Sequence, residues 1–228
     1  REMDGGKFSG SDFSRTTLFA RALSFANTDK SKNFAYVDFE DDFNIPSIQD
    51  AAQAFGVKII RSHHNMTGPV SNIREKMATM RKTGYEIPKI AFMPRSLADV
   101  ETLFREASQI KDFDFILCAM GVEGFPSRVL ASLSNSYLTF VSPKEVIEHT
   151  KFLGHIDPET LQNLYSFSSI TKDTSLYGIT AWPSIDSSVV ELHNKYFKEN
   201  NLNSVYIPVI SSIVSEALSF ADYMGIKG

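Results

Sequence analysis

Residues 86–94 read Glu-Ile-Pro-Lys-Ile-Ala-Phe-Met-Pro, an apolar run that prolines bound and that carries one lysine, Lys89. A near-continuous apolar run of this length predicts a strand with both faces buried, as in a parallel sheet. Burial disfavours the charged form of a lysine, and its neutral amine can then attack a carbonyl carbon. A lysine in such a run can also extend its stem along the surface and keep its ammonium in water. The run alone leaves both readings open.

The chain between about residues 34 and 141 repeats this alternation of apolar runs and amphipathic stretches. Buried strands separated by helices predict parallel βαβ units, and hence an α/β fold with functional groups at the carboxyl ends of the strands. The predicted strands are 34–39, 57–61, 87–92, 113–119 and 136–141. The predicted helices are 47–55, 70–83, 97–110 and 128–133.

The second apolar run leads into Ser62-His63-His64-Asn65. A histidine at the end of a neighbouring strand can move the protons that an amine adduct on Lys89 requires. Because adjacent residues of a strand point to opposite faces, His63 and His64 cannot both bind one metal ion from there. The lysine and the histidine together indicate carbonyl chemistry through a Schiff base, and we predict no metal site.

Composition narrows the class of protein. The chain has 228 residues, 43% of them hydrophobic, and a net charge of −4. The absence of a basic tract argues against nucleic acid as a partner. Cys118 is the only cysteine, so no intrachain disulfide can form, and its apolar neighbours predict a buried side chain. With no apolar stretch of membrane-spanning length and no signal peptide, we expect a cytoplasmic protein without a membrane partner.

A second region follows the polar segment 171–175. We predict a strand at 176–180, a helix at 188–197, a strand at 205–209 and a helix at 212–224. Such a short βαβα unit is too small to complete an α/β core. The first residue is Arg1 rather than methionine, so we expect a piece of a longer protein.

Three motifs, in this order and spacing, resemble the type I 3-dehydroquinate dehydratases. They are residues 62–65, residues 87–94, and Met120-Gly121 followed by Ser127-Arg128. Farther along, residues 164–167, 176–180 and 193–208 resemble the start of shikimate dehydrogenase, which follows the dehydratase in bifunctional shikimate-pathway proteins. The resemblance implies a (β/α)8 TIM barrel over 1–165 that lacks its first strands. It further implies a linker at 166–175 and a truncated shikimate dehydrogenase substrate-binding domain at 176–228.

The same resemblance implies a lyase of aromatic amino-acid biosynthesis. Lys89 would form an iminium with the ketone of 3-dehydroquinate, and His64 would serve as base and then as acid. The dehydratase would need no cofactor, and NADP would serve only the missing part of the dehydrogenase. A homodimer is compatible with the family. The substrate-binding residues implied are Arg1, Asp4, Asp38, Arg128, Lys151, His155 and Ser187.

Several of these positions depart from the family pattern. His155 stands where the family has a substrate-binding glutamine, and Lys151 replaces a small serine of the same loop. Asp4 replaces a glutamate, and Ser187 is the one serine kept of the dehydrogenase Ser-x-Ser-Pro. Because two barrel strands and a Glu-x-Arg motif are missing, we expect the chain by itself to be inactive. Two alternatives stay open: another Schiff-base lyase such as an aldolase, and a non-catalytic descendant that binds a small carboxylic acid or a partner.

Overall fold

The structure, a computed structural model, describes residues 8–25 and 29–228. Its first part is a parallel sheet of four strands in the order β1-β2-β3-β4, with helices joining successive strands. The strands are β1 (Tyr36–Glu40), β2 (Lys58–Asn65), β3 (Ile87–Phe92) and β4 (Ile116–Ala119). The helices are α1 (Asp12–Ser24), α2 (Pro46–Ala54), α3 (Ile73–Met80), α4 (Leu97–Ala107) and α5 (Phe125–Val129).

The second part contains two further parallel strands, β5 and β6, and the helices around them. Its elements are α6 (Pro158–Asn163), β5 (Ser175–Ala181), α7 (Ser187–Glu199), β6 (Ser204–Ile210) and α8 (Val214–Met224). The predicted strands and helices of this region are confirmed to within one or two residues at each end. The α/β class and the parallel pairing are confirmed for both parts.

The four-stranded sheet has two faces with different partners. On one face, Ile90 and Leu117 pack in the same apolar core as Met77 of α3 and Val100 of α4. On the opposite face, which we call the inner face, three isoleucines from β2, β3 and β4 pack against Tyr137, Leu138 and Phe140. All residues of β3 are buried, as its apolar composition predicts.

Two predicted elements are wrong in type or position. Residues 136–141 form no strand. The amide of Tyr137 donates to the carbonyl of Phe115 (2.7 Å), as in a strand pair, but the next hydrogen bond toward β4 is made by a side chain. There the hydroxyl of Ser136 accepts from the Leu117 amide (3.2 Å), which interrupts the backbone ladder. The helix predicted at 128–133 is instead Phe125–Val129, because Pro126 favours a first helical turn.

The two parts of the chain share one apolar core. Phe104 of α4 packs against Phe220 of α8 with ring centroids 5.9 Å apart. The Ser219 hydroxyl donates to Glu101 on α4 (2.7 Å), and Ile170 lies buried in the same cluster. Because these contacts exclude water on both sides, α8 supports the helix that follows β3.

Arg61 is a completely buried cation on the face of β2 opposite the inner face. Its guanidinium donates to the backbone carbonyls of Glu40 (3.3 Å) and Phe43 and to the side-chain oxygen of Gln49. Burial lowers the pKa of the Arg61 guanidinium, while the surrounding acidic side chains act in the opposite direction. These bonds connect β2 to the turn after β1 and to α2.

We expect Arg61→Ala to lower the free energy of unfolding by about 3–5 kcal/mol, because buried oxygen atoms lose their hydrogen-bond donor and a cavity is left. Urea unfolding of the chain measures this loss. The control is Lys58→Ala on the exposed end of the same strand, with an expected loss below about 1 kcal/mol. Equal losses for the two variants would show that the buried network does not stabilise the fold.

Candidate active site

Lys89 lies in the middle of β3 and points to the inner face of the sheet, with 6% of its surface exposed. Its ammonium donates to Oδ2 of Asp38 on β1 at 2.9 Å. The Nζ atom also lies 4.0 Å from the centroid of the Phe140 ring. The apolar run therefore holds its lysine inside the protein, with one carboxylate and one aromatic face as neighbours.

His64 lies on the same face of the sheet as Lys89. Ser62 is the partner of Lys89 in the parallel register, and His64 follows Ser62 by two residues, which is one full period of a strand. One strand spacing and two residues along a strand correspond to a Cα separation of about 8 Å. Both side chains therefore leave the sheet on its inner face, at neighbouring positions of adjacent strands.

His63 faces the other side of the sheet, as the alternation of a strand predicts. Its Nδ1 atom lies 3.0 Å from Oδ2 of Asp41, and the Lys76 ammonium donates to the same oxygen at 3.2 Å. The β2 strand runs through Asn65 instead of ending at residue 61, so both histidines lie inside the strand. The pairing with β3, which continues to Phe92, accounts for the extra length.

Arg128 reaches the site from the short helix α5 and is 1% exposed. Its guanidinium donates to the backbone carbonyls of Leu153 (2.7 Å) and Phe140 (3.3 Å). The Nε atom is buried and has no hydrogen-bond partner within the described ranges. Burial lowers the pKa of this guanidinium, and the neighbouring Cys118 thiol acts in the opposite direction.

The start of α5 is fixed to β4 by the hydroxyl of Ser127. It accepts from the amide of Ala119 (2.9 Å) and donates to the carbonyl of Gly124 (2.7 Å). Because Ser127 precedes Arg128, these bonds hold the arginine at the carboxyl end of β4. In the Ser-Arg pair of the sequence motif, Ser127 therefore fixes the helix to the strand and Arg128 supplies the positive charge.

His155 is half-buried, and its Nδ1 atom lies 2.6 Å from the hydroxyl of Ser142. Burial, followed by the positive charges of Arg128 and Lys89, lowers the pKa of His155 to about 4. The imidazole is therefore neutral at pH 7. Arg128 donates to the carbonyl of Phe140, and the ring of Phe140 lies against the Lys89 ammonium, so the structure brings Lys89 and Arg128 to one region of the inner face.

The other predicted site residues are less informative. Ser187 begins α7 and lines an apolar cavity of about 280 Å³ between the two parts of the chain, together with His155 and Tyr165. It is not among the neighbours of Lys89 named above. Lys151 begins a short 3₁₀ helix, Lys151–Leu153, and the placement of its side chain is not described. Arg1 and Asp4 lie outside the described residues.

Sequence reasoning missed Phe140, Ser142 and Thr150. Phe140 was assigned to a strand, although its ring lies against the Lys89 ammonium. Ser142 and Thr150 contact His155 directly or through one another, and no local pattern marks them. Within residues 8–25 and 29–228, no helix is long and apolar enough to cross a membrane.

Comparisons with known proteins identify the family of the chain. A family model described as type I 3-dehydroquinase matches residues 1–172. The bifunctional 3-dehydroquinate dehydratase/shikimate dehydrogenase of Arabidopsis thaliana, a chloroplastic protein, is 30% identical over 97% of the chain and 36% of its own length. The 3-dehydroquinate dehydratase of Klebsiella pneumoniae is 36% identical over 45% of the chain and 43% of its own length. The chain thus spans less than half the length of these relatives.

Solved structures give the same assignment for the fold. A type I 3-dehydroquinate dehydratase from Clostridium difficile, with covalently modified comenic acid, superposes with a TM-score of 0.59 at 25% identity, covering 74% of the chain and 66% of that protein. The dehydroquinate dehydratase and shikimate dehydrogenase from S. pombe superposes with a TM-score of 0.57 at 20% identity, covering 96% of the chain and 41% of that protein. The latter likeness concerns the fold alone. By the matched residues and the identity to its relatives, the chain belongs to the type I 3-dehydroquinase family.

Proposed function

We propose that the protein dehydrates 3-dehydroquinate to 3-dehydroshikimate through a Schiff base on Lys89. The observation that carries this proposal is a buried lysine amine that shares one sheet face with His64. Family membership supports the same reaction, and the relatives named above bear dehydratase names. The roles of the individual residues are part of the proposal.

The reaction can be followed from the groups present. The Lys89 amine adds to the ketone carbon of the substrate, and loss of water gives an iminium whose positive nitrogen acidifies the adjacent C–H. His64 removes that proton and then returns a proton to the departing hydroxyl, which leaves as water. Hydrolysis of the remaining iminium releases the product and regenerates the amine. Asp38, whose Oδ2 atom lies 2.9 Å from Nζ, fixes the position of the nitrogen that attacks.

The substrate carries a carboxylate, and a cation near the iminium carbon is needed to bind it. Arg128 supplies this positive charge. Two backbone carbonyls hold its guanidinium, and its buried Nε–H has no partner within the described residues and can donate to the ligand. The same two bonds favour a second candidate function, the binding of a small acid without turnover. A guanidinium already bonded to carbonyls has fewer N–H groups for a bidentate grip on a carboxylate.

Borohydride trapping separates these functions. The full-length protein is incubated with 3-dehydroquinate and sodium borohydride, digested and analysed by peptide mass spectrometry. We expect a reduced adduct on the peptide that contains Lys89, and none when borohydride is omitted. An adduct on another lysine, or none at all, would overturn the proposed dehydration. An adduct that forms only with other ketones or aldehydes would identify an aldolase instead.

The region after the dehydratase match is a separate proposal. We propose that residues 176–228 form the start of a shikimate dehydrogenase substrate-binding domain, with residues 166–175 as the connection. The identity to the bifunctional Arabidopsis protein along nearly the whole chain supports this reading. The use of NADP by a complete dehydrogenase, a cytoplasmic location and a homodimer stay predictions.

A further inference from the structure

Three polar side chains form a continuous series that ends at His155. The hydroxyl of Thr150 donates to Oγ of Ser142 at 3.0 Å and also lies 3.2 Å from the carbonyl oxygen of Ile147. Oγ of Ser142 lies 2.6 Å from Nδ1 of His155. Ser142 is buried, so bulk water does not compete for its hydroxyl. The mechanism described above uses neither Ser142 nor Thr150.

The hydrogen bond from Thr150 to Ser142, the shorter of the two that the Thr150 hydroxyl can make, indicates which nitrogen of His155 carries the proton. Because Ser142 accepts from Thr150, its own hydrogen is free to be donated. In the part of the chain that the structure describes, Nδ1 of His155 is the acceptor that this hydroxyl reaches. A neutral imidazole has one donor and one acceptor nitrogen, so an accepting Nδ1 leaves the proton on Nε2.

The surrounding charges keep the ring in this neutral state. The cations acting on His155 are Arg128, from α5, and Lys89, from β3; both oppose protonation, as does burial. A ring protonated at both nitrogens would add a third positive charge to the same region. Only the neutral ring can accept at Nδ1, so Ser142 and the two cations favour the same state of the imidazole.

We propose that Ser142 and Thr150 are positioning residues that hold His155 in its Nε2–H tautomer, so that the imidazole donates a hydrogen bond to a hydroxyl or carboxylate oxygen of the ligand near Lys89 and Arg128. This inference rests on the proposed function for the identity of the ligand. Lys89, Arg128 and His155 would then all present hydrogen-bond donors to the ligand. The site would select a small acid whose ring oxygens serve as acceptors. A ligand that offers a donor at this position would be rejected, because it would meet the Nε2–H.

The tautomer can be measured in the free chain. Long-range proton–nitrogen NMR of the chain with ¹⁵N-labelled histidine distinguishes a protonated from an unprotonated ring nitrogen. The chain has five histidines, and the spectrum of His155→Gln assigns the signal. We expect an unprotonated Nδ1 and a protonated Nε2 at pH 7, and a mixture of tautomers in Ser142→Ala. A proton on Nδ1 in the unsubstituted chain would overturn the inference, with Thr150 then donating to Ile147.

Kinetics test whether the tautomer matters for substrate binding. We expect Ser142→Ala to raise KM about tenfold, the effect of one hydrogen bond, and to change kcat by less than about twofold. In a His155→Gln background the same substitution should have no further effect, because an amide needs no serine to fix its donor. An equal loss in both backgrounds would show that Ser142 acts only through the fold. A full-length protein without turnover would refute the dehydration, whereas the NMR result would still decide the tautomer.

Discussion

Lys89→Met is expected to lower turnover of 3-dehydroquinate by more than about 10⁴-fold, because the reaction loses its covalent nucleophile. Methionine fills a similar volume in the apolar strand and should leave the fold intact. Turnover is followed by the ultraviolet absorbance of the conjugated product. Borohydride should then trap no adduct on the peptide that spans residue 89.

A matched control for this variant is Lys76→Met. Lys76 is also partly buried and also bonded to an aspartate, but that aspartate is Asp41, which His63 contacts on the other face of the sheet. We expect turnover of Lys76→Met to stay within a few-fold of the unsubstituted chain. If Lys89→Met keeps a turnover comparable to that of the control, the Schiff base on Lys89 must be abandoned.

His64→Gln is expected to lower turnover by about 10²–10⁴-fold, the usual contribution of a positioned acid–base group. Glutamine keeps polarity and size but cannot take a proton and return it. Because the amine attack precedes proton removal, the variant should still form the adduct that borohydride traps on Lys89. A variant that binds substrate covalently but does not dehydrate it would assign the proton transfer to this imidazole.

The neighbouring histidine provides the control. His63→Gln changes the same side chain one position earlier, on the opposite face, where it contacts Asp41. We expect its turnover to change by less than about threefold. Equal losses for the two variants would mean that the strand, and not the imidazole of residue 64, is needed. Loss of trapping in His64→Gln would place its role before the iminium forms.

The sequence by itself determined the strand around Lys89 and the opposite orientations of the two histidines. The strand follows from its near-continuous apolar run, and the orientations follow from the two-residue period of a strand, which is a property of the local backbone. Local hydrophobic patterns also predicted β5 and β6 and their helices. They did not predict where β2 ends, because the length of that strand depends on a partner strand more than twenty residues away in sequence.

Only the tertiary structure decided what surrounds the lysine. It placed Asp38 and Phe140 against the amine, turned Arg128 toward two carbonyls and joined Ser142 to His155. These contacts join residues from 12 to more than 50 positions apart, and they exist because the loops that carry them close on the same face of one sheet. No local pattern records such closure, since its free energy is shared among contacts throughout the fold.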